Sequence, residues 1–171
     1  MPDKEFDVYE LYSRRRDKDW LVEQLRTRPE AFGVSLHTAI NGSGPHGWRA
    51  AWILCHAMNT SDNRLQSRVG EIIDAIPEKS DGHQRELLRI LHKLTIGEDH
   101  EGLLFDVCMA LWADLQKASA VRVFAFKHIY NIADRYPELK NEVRLVTDDV
   151  YVETLSPGIR SSVRKLIKRL A

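Results

Sequence analysis

Quartets of apolar residues at the i, i+3, i+4, i+7 spacing of a single helix face recur along this chain at a nearly constant offset. Trp48, Ala51, Trp52 and Cys55 are followed by Leu87, Ile90, Leu91 and Leu94, then by Phe126, Ile129, Tyr130 and Ala133, and then by Val163, Leu166, Ile167 and Leu170. Their starts lie 39, 39 and 37 residues apart. A second series runs between them: Val69, Ile72, Ile73, Ile76; Leu104, Val107, Cys108, Leu111; and Val143, Val146, Thr147, Val150, with starts 35 and 39 residues apart. At this apolar content roughly six such quartets arise by chance. The weight therefore rests on the offset and on the helix-start signals ahead of most copies. Two interleaved helices per unit describe an all-α array in which each helix pair buries its apolar face only against its neighbours.

The punctuation agrees with this period. Pro29, Pro45, Pro137 and Pro157 stand where helices would begin, since proline suits the first helical turn and no later one. Pro77 closes the helix before it, and Ser80 or Asp81, with Gln84 as the partner of a capping box, opens the next. Thr60, Ser61 and Asp62, and separately Ser119, are further cap candidates. The intervening segments suit eight or nine helices. The stretch from Leu145 to Leu155 is the weakest fit, because Val150 and Val152 alternate with polar residues as in a short strand.

The pattern is most visible in GWRAAWILCHAMN, and it resembles HEAT and armadillo repeat proteins over about residues 19 to 171. The resemblance implies a right-handed α-α superhelix of about four helix pairs, forming one domain over 19–171. It also extends to short bacterial HEAT-like chains, some of which carry an adenylosuccinate lyase label. That lyase has a flexible loop of the form SSxMPxKxNP, and nothing in this sequence matches it. Residues 1–18 stand apart as a capping helix or loose arm, with Phe6, Tyr9 and Tyr12 on one face and Arg14, Arg15 and Arg16 behind them.

Motifs that carry chemistry are sparse. Gly42, Gly44 and Gly47 spell GxGxxG, but no strand precedes them and no βαβ unit surrounds them, so a loop between repeats is expected. Glu98, Asp99, His100 and Glu101 suit the positive end of a helix dipole better than a metal, because four consecutive residues point in four directions. Cys55 beside His56, and Cys108 alone, lack metal spacing and sit on apolar faces, where cysteine acts as a small hydrophobe. No metal and no cofactor are expected. Trp112 and Asp114, with Trp48 and Trp52, invite comparison with HEAT-like alkylpurine DNA glycosylases, in which cleft aromatics and a carboxylate meet a flipped base. No nucleophile elbow GxSxG occurs.

Charge is distributed unevenly although the whole is balanced, with 25 Lys and Arg against 25 Asp and Glu in 171 residues. The first helices together carry +9 and the second helices −9. Stacking would then give a basic and an acidic surface. Relative to the quartets, Arg49, Lys127 and Arg164 share an outward position, with Arg89, His128 and Lys165 one residue further round. On the second helices Glu71 and Asp106 share one position, Asp74 and Asp148 another, and Asp149 adjoins them. By resemblance the second helices line the concave side. The expected function is a non-enzymatic scaffold that binds a protein partner, a basic or extended segment, through Glu71, Asp74, Asp106, Asp148 and Asp149. Nucleic-acid binding or base excision through the basic strip with Trp112 and Asp114 is the alternative, and a homodimer is a third arrangement. The N-terminus has no secretory h-region, the two cysteines form no disulfide framework and no apolar run spans a bilayer, so a cytoplasmic location without a membrane is expected.

Overall fold

The structure is a computed structural model that describes residues 11–12 and 16–170. No strand occurs among these residues, which form eleven α-helices and two 3-10 turns. In order they are α1 (Lys18–Thr27), α2 (Pro29–Asn41), α3 (Gly44–Ala57), α4 (Asn63–Gln66), α5 (Val69–Ala75), a 3-10 turn (Ile76–Glu78) and α6 (Asp81–His92). Then follow α7 (Glu98–Ala113), α8 (Ser119–Arg135), a second 3-10 turn (Pro137–Leu139), α9 (Lys140–Leu145), α10 (Asp149–Val152) and α11 (Pro157–Leu170). The chain gathers into two compact units that meet in sequence after Thr95.

In the first unit α3 packs on α1, α2 and α6, while α2 also meets α5. First helices thus stack on first helices and a second helix on a second helix, the two-layer arrangement the period demands. Leu87, Ile90, Leu91 and Leu94 are all buried, as are Val69, Ile72, Ile73 and Ile76. In α3 the expected quartet is displaced. Its core face is Ala50, Ala51, Ile53, Leu54, Cys55 and Ala57, whereas Trp48 and Trp52 are only half-buried. Three neighbours enclose this helix, which buries its alanines together with Ile53 and Leu54 and leaves the two indoles at its edge. In the second unit α8 packs on α7, α9 and α11. Val163 and Leu170 of α11 are buried, Leu166 and Ile167 half-buried.

The prolines sit as expected, with Pro29, Pro45 and Pro137 in first turns, Pro157 opening α11 and Pro77 in the turn that closes α5. The caps agree less well. Asp62 caps α4 through the Arg64 amide, but Ser119 is the first residue of α8 behind Ala118, and Ser80 precedes α6 without a side-chain bond. Gln84 closes no capping box; its Nε2 donates to the Ile76 carbonyl at 3.0 Å. The three glycines of GxGxxG serve the α2–α3 turn. Gly44 has φ of +61°, and a Cβ on Gly47 would stand 2.8 Å from the Gly42 carbonyl and from His83 Cε1. That close approach lets His83 Nε2 lie 2.8 Å from the Ala39 carbonyl while Lys79 Nζ donates to that of Gly42 at 2.8 Å.

No strand forms over Leu145 to Leu155. The helix breaks after Leu145 and resumes for one turn at α10, with Val152 buried while Leu145 and Val150 lie 76% and 57% exposed. The break frees carbonyls that the core then uses. The Trp112 indole Nε1 donates to Val146 at 2.6 Å, and Arg122 Nη2 donates to Tyr151 at 2.6 Å. The proposed arm over residues 1–18 falls largely outside the described residues. Of its named side chains, Tyr12 is buried with its hydroxyl 2.5 Å from Ser35 Oγ, burial pushing its phenol up to about 12, and Arg16 lies over the Trp20 ring.

Arg122 is fully buried on α8. Its Nε donates to the Trp112 carbonyl at 3.0 Å and its Nη1 to Thr154 Oγ1 at 2.7 Å, with the guanidinium 4.6 Å from the Trp112 ring centroid. Arg122→Ala strands the buried Trp112 carbonyl and empties a fully buried site, and should cost about 3 kcal/mol in urea unfolding; a loss below about 1 kcal/mol would show the contacts to be dispensable. The Arg64 guanidinium hydrogen-bonded to Asp62 holds that carboxyl at about 2, below its ordinary value. The pair's stabilisation is present above the unfolded carboxyl's pKa of about 4 and is lost as pH falls through about 2. Between pH 5 and pH 2 the wild type should lose about 1–2 kcal/mol more stability than Asp62→Asn.

Candidate functional site

The acidic residues singled out from the sequence all reach solvent. In the first unit Glu71 and Asp74 lie one turn apart on α5, and Glu71 pairs with Arg68 at 2.5 Å. In the second unit Asp106 projects from α7, Asp148 precedes α10 and Asp149 opens it, 89% exposed in its side chain and 3.6 Å from Arg164. Asp74, Asp106 and Asp148 make no ion pair among the described residues. These three are uncommitted negative charges.

The basic strip is different in kind. Arg49 is half-buried and donates from Nη1 to the Tyr12 carbonyl at 2.8 Å, Arg89 pairs with Glu86 at 2.8 Å, and Lys127 lies over the Phe124 ring. Arg164 bonds Glu153 as well as Asp149. His128 is buried, 4% exposed, and belongs to the core of α8 rather than to a surface strip; one residue further round the helix from Lys127 already faces the packed side. Lys165 is exposed on α11. Most of this strip is therefore engaged inside its own unit.

The aromatic and carboxylate pair proposed for base excision does not form a cleft. Trp112 has no exposed surface: its ring packs 4.6 Å from that of Phe126, its nitrogen is bonded to Val146 and Arg122 covers it. Asp114 is exposed at the end of α7, where Oδ1 accepts from the Gln116 amide at 2.9 Å. Tryptophan rings that do reach solvent are elsewhere. Trp48 and Trp52 on α3 stack with centroids 6.5 Å apart, and His56 stands edge-on to Trp52 at 5.2 Å. The apolar quartet places both in the core, whereas their i, i+4, i+8 row with His56 marks the edge of a helix that buries Ala50, Ala51 and Ala57.

Glu98 and Asp99 are exposed in the first turn of α7, whereas Glu101 is buried and ion-paired with Arg135 of α8. Among the described residues no group of three or more His, Cys, Asp or Glu could hold a metal ion, and no helix is long and apolar enough to cross a membrane. A second buried acid, Glu86 on α6, was not anticipated. It lies between Arg85 and Arg89, bonded to both.

A family model described as a HEAT repeat domain matches residues 13–170. No curated protein and no solved structure matches the chain.

Both cysteines are free and buried, and burial pushes each thiol up, Cys108 most strongly. A thiol in that state is no nucleophile. Titration with an aromatic disulfide reagent should find no fast-reacting thiol in the native chain and two in urea; rapid labelling of either in the native state would contradict its assignment to the core.

Proposed function

The chain belongs to the HEAT repeat family, and on that premise we propose that it is a non-enzymatic protein-interaction scaffold whose second helices take a basic or extended partner segment. The observation that carries this reading is the contrast in charge commitment. Asp74, Asp106 and Asp148 are exposed and unpaired among the described residues, and Glu71 and Asp149 are exposed with surface partners of small energetic worth. Charges already in water and unpaired lose little when a partner's lysine or arginine approaches, and they raise its rate of encounter. A second copy of the chain is one such partner.

The test is confined to the second unit. Asp106→Lys, Asp148→Lys and Asp149→Lys combined should weaken binding of a fluorescent Lys- and Arg-rich 15-residue peptide at least tenfold, with unfolding free energy changed by less than about 1 kcal/mol. Equal affinity for wild type and variant would defeat the proposal. Sedimentation of both proteins separates self-association from capture of a different chain.

A further inference from the structure

Glu86 presents a physical cost that demands a return. Its carboxylate is fully buried, and removal of such a group from water costs several kcal/mol unless neighbours compensate it. Two arginines do so. Oε1 accepts from Arg85 Nε at 2.9 Å and Nη2 at 2.7 Å, and Oε2 accepts from Arg89 Nη1 at 2.8 Å. A leucine here would fill the same space without the cost, so the arrangement is better understood by what it does to the arginines. Arg85 is held along its Nε–Nη2 edge and Arg89 by Nη1 alone, while about a third of each side chain stays in water. Nη1 of Arg85, and Nε and Nη2 of Arg89, make no other hydrogen bond among the described residues. The result is a pair of oriented, planar donor forks with open edges, the geometry that suits carboxylates.

These forks run beside the aromatic row of α3. Gly82, at the start of α6, lies against the Trp48 indole, a Cβ there falling 3.4 Å from it. At the far end Lys93 Nζ donates to the Cys55 carbonyl at 2.5 Å. The two helices therefore run in the same direction in matched register, with Gly82, Arg85, Arg89 and Lys93 following Trp48, Trp52 and His56. Burial and the cations Arg89 and Lys18 lower the proton affinity of His56, so it enters the row as a neutral ring. Half-buried indoles beside oriented arginines are the residue types that dominate binding energy at protein interfaces.

We infer that the α3–α6 face of the first unit docks an acidic peptide segment with an aromatic or large apolar anchor, the anchor seated on Trp48 and Trp52 and its flanking carboxylates on the open edges of Arg85 and Arg89. Glu86 is a positioning residue for the two forks. The local charge favours a peptide over a nucleic acid. On α6 and at its C-cap the cations Arg85, Arg89 and Lys93 stand against the single buried carboxylate of Glu86, with Lys18 and Arg26 near His56, a local cluster that a few acidic side chains neutralise, whereas strand binding draws on a continuous basic groove. None of the acidic residues of the second helices takes part, so either surface can fail without the other.

The full chain is panned against a displayed pool of random 12-residue peptides, with oligo(dT) titrated in parallel. Enriched sequences should carry Asp or Glu around an aromatic residue. Their affinity should fall at least tenfold in the double variant Arg85→Gln, Arg89→Gln and in Trp52→Ala, and should weaken with added salt. Glu86→Gln should weaken the same peptides while leaving the Lys- and Arg-rich peptide unaffected, a selectivity that mere loss of stability would not produce. Because Glu86→Gln alters a buried pair, the partly exposed arginine variants decide the matter if it unfolds. Absence of enrichment, enrichment of basic sequences, tighter binding of oligo(dT), or peptide affinities unchanged in the arginine variants would each overturn the inference.

Discussion

Every helix ends with carbonyl groups that its own backbone cannot satisfy, and in a stack of short helices many of these ends are buried. In this chain basic side chains of neighbouring elements meet them. Arg26 reaches the His56 and Ala57 carbonyls at the end of α3, Lys93 reaches Cys55, and Lys79 and His83 reach Gly42 and Ala39 at the end of α2. In the second unit Arg122 serves Trp112 and Tyr151, and Arg160 serves Glu153 and Leu155. A cation near a helix C-terminus is favoured twice, by the hydrogen bond and by the negative end of the dipole. Chain turns, helix breaks and the packing of adjacent helices all depend on this one kind of contact.

That contact also accounts for much of the charge sorting. Lys93 follows a first helix, and Arg122 and Arg160 lie within first helices, so part of their positive excess is a structural requirement of the stack. On the second helices Glu101 and Glu153 have such tasks, paired with Arg135 and with Arg160 and Arg164, but some other acids there have none. Exposed Asp74, Asp106 and Asp148 support no carbonyl and no cap bond. Equal and opposite totals thus hide unequal commitments: much of the basic side is tied to backbone carbonyls and buried acids, whereas Asp74, Asp106 and Asp148 stay in water without an ion pair among the described residues.

The architecture was legible in the sequence because stacking repeats must bury one face of each helix at a regular interval. Leu87 to Leu94 and Val69 to Ile76 show how directly that constraint writes itself. What could not be read were features set by a neighbour's position rather than by local spacing. The break after Leu145 leaves the Val146 carbonyl to the Trp112 indole, a partner 34 residues away in sequence. The edge position of Trp48 and Trp52 depends on α3 being enclosed by three helices. His128 was placed on a strip by counting around α8, yet the burial of that helix is wider than one stripe. Glu86 between two arginines carries no mark in the sequence, since nothing in its own neighbourhood says that the carboxylate is out of water.

The distribution of tryptophans gives the chain a built-in optical record of its state. Trp112 is sealed from water in the second unit, while Trp20, Trp48 and Trp52 in the first unit all touch solvent. The sealed indole emits at shorter wavelength than the wetted ones, and the stacked pair on α3 is close enough for its excited states to couple and mark the near-ultraviolet dichroism. Loss of the blue emission component and loss of the coupled dichroic band therefore report on different halves of the polypeptide, in one cuvette and with no label attached.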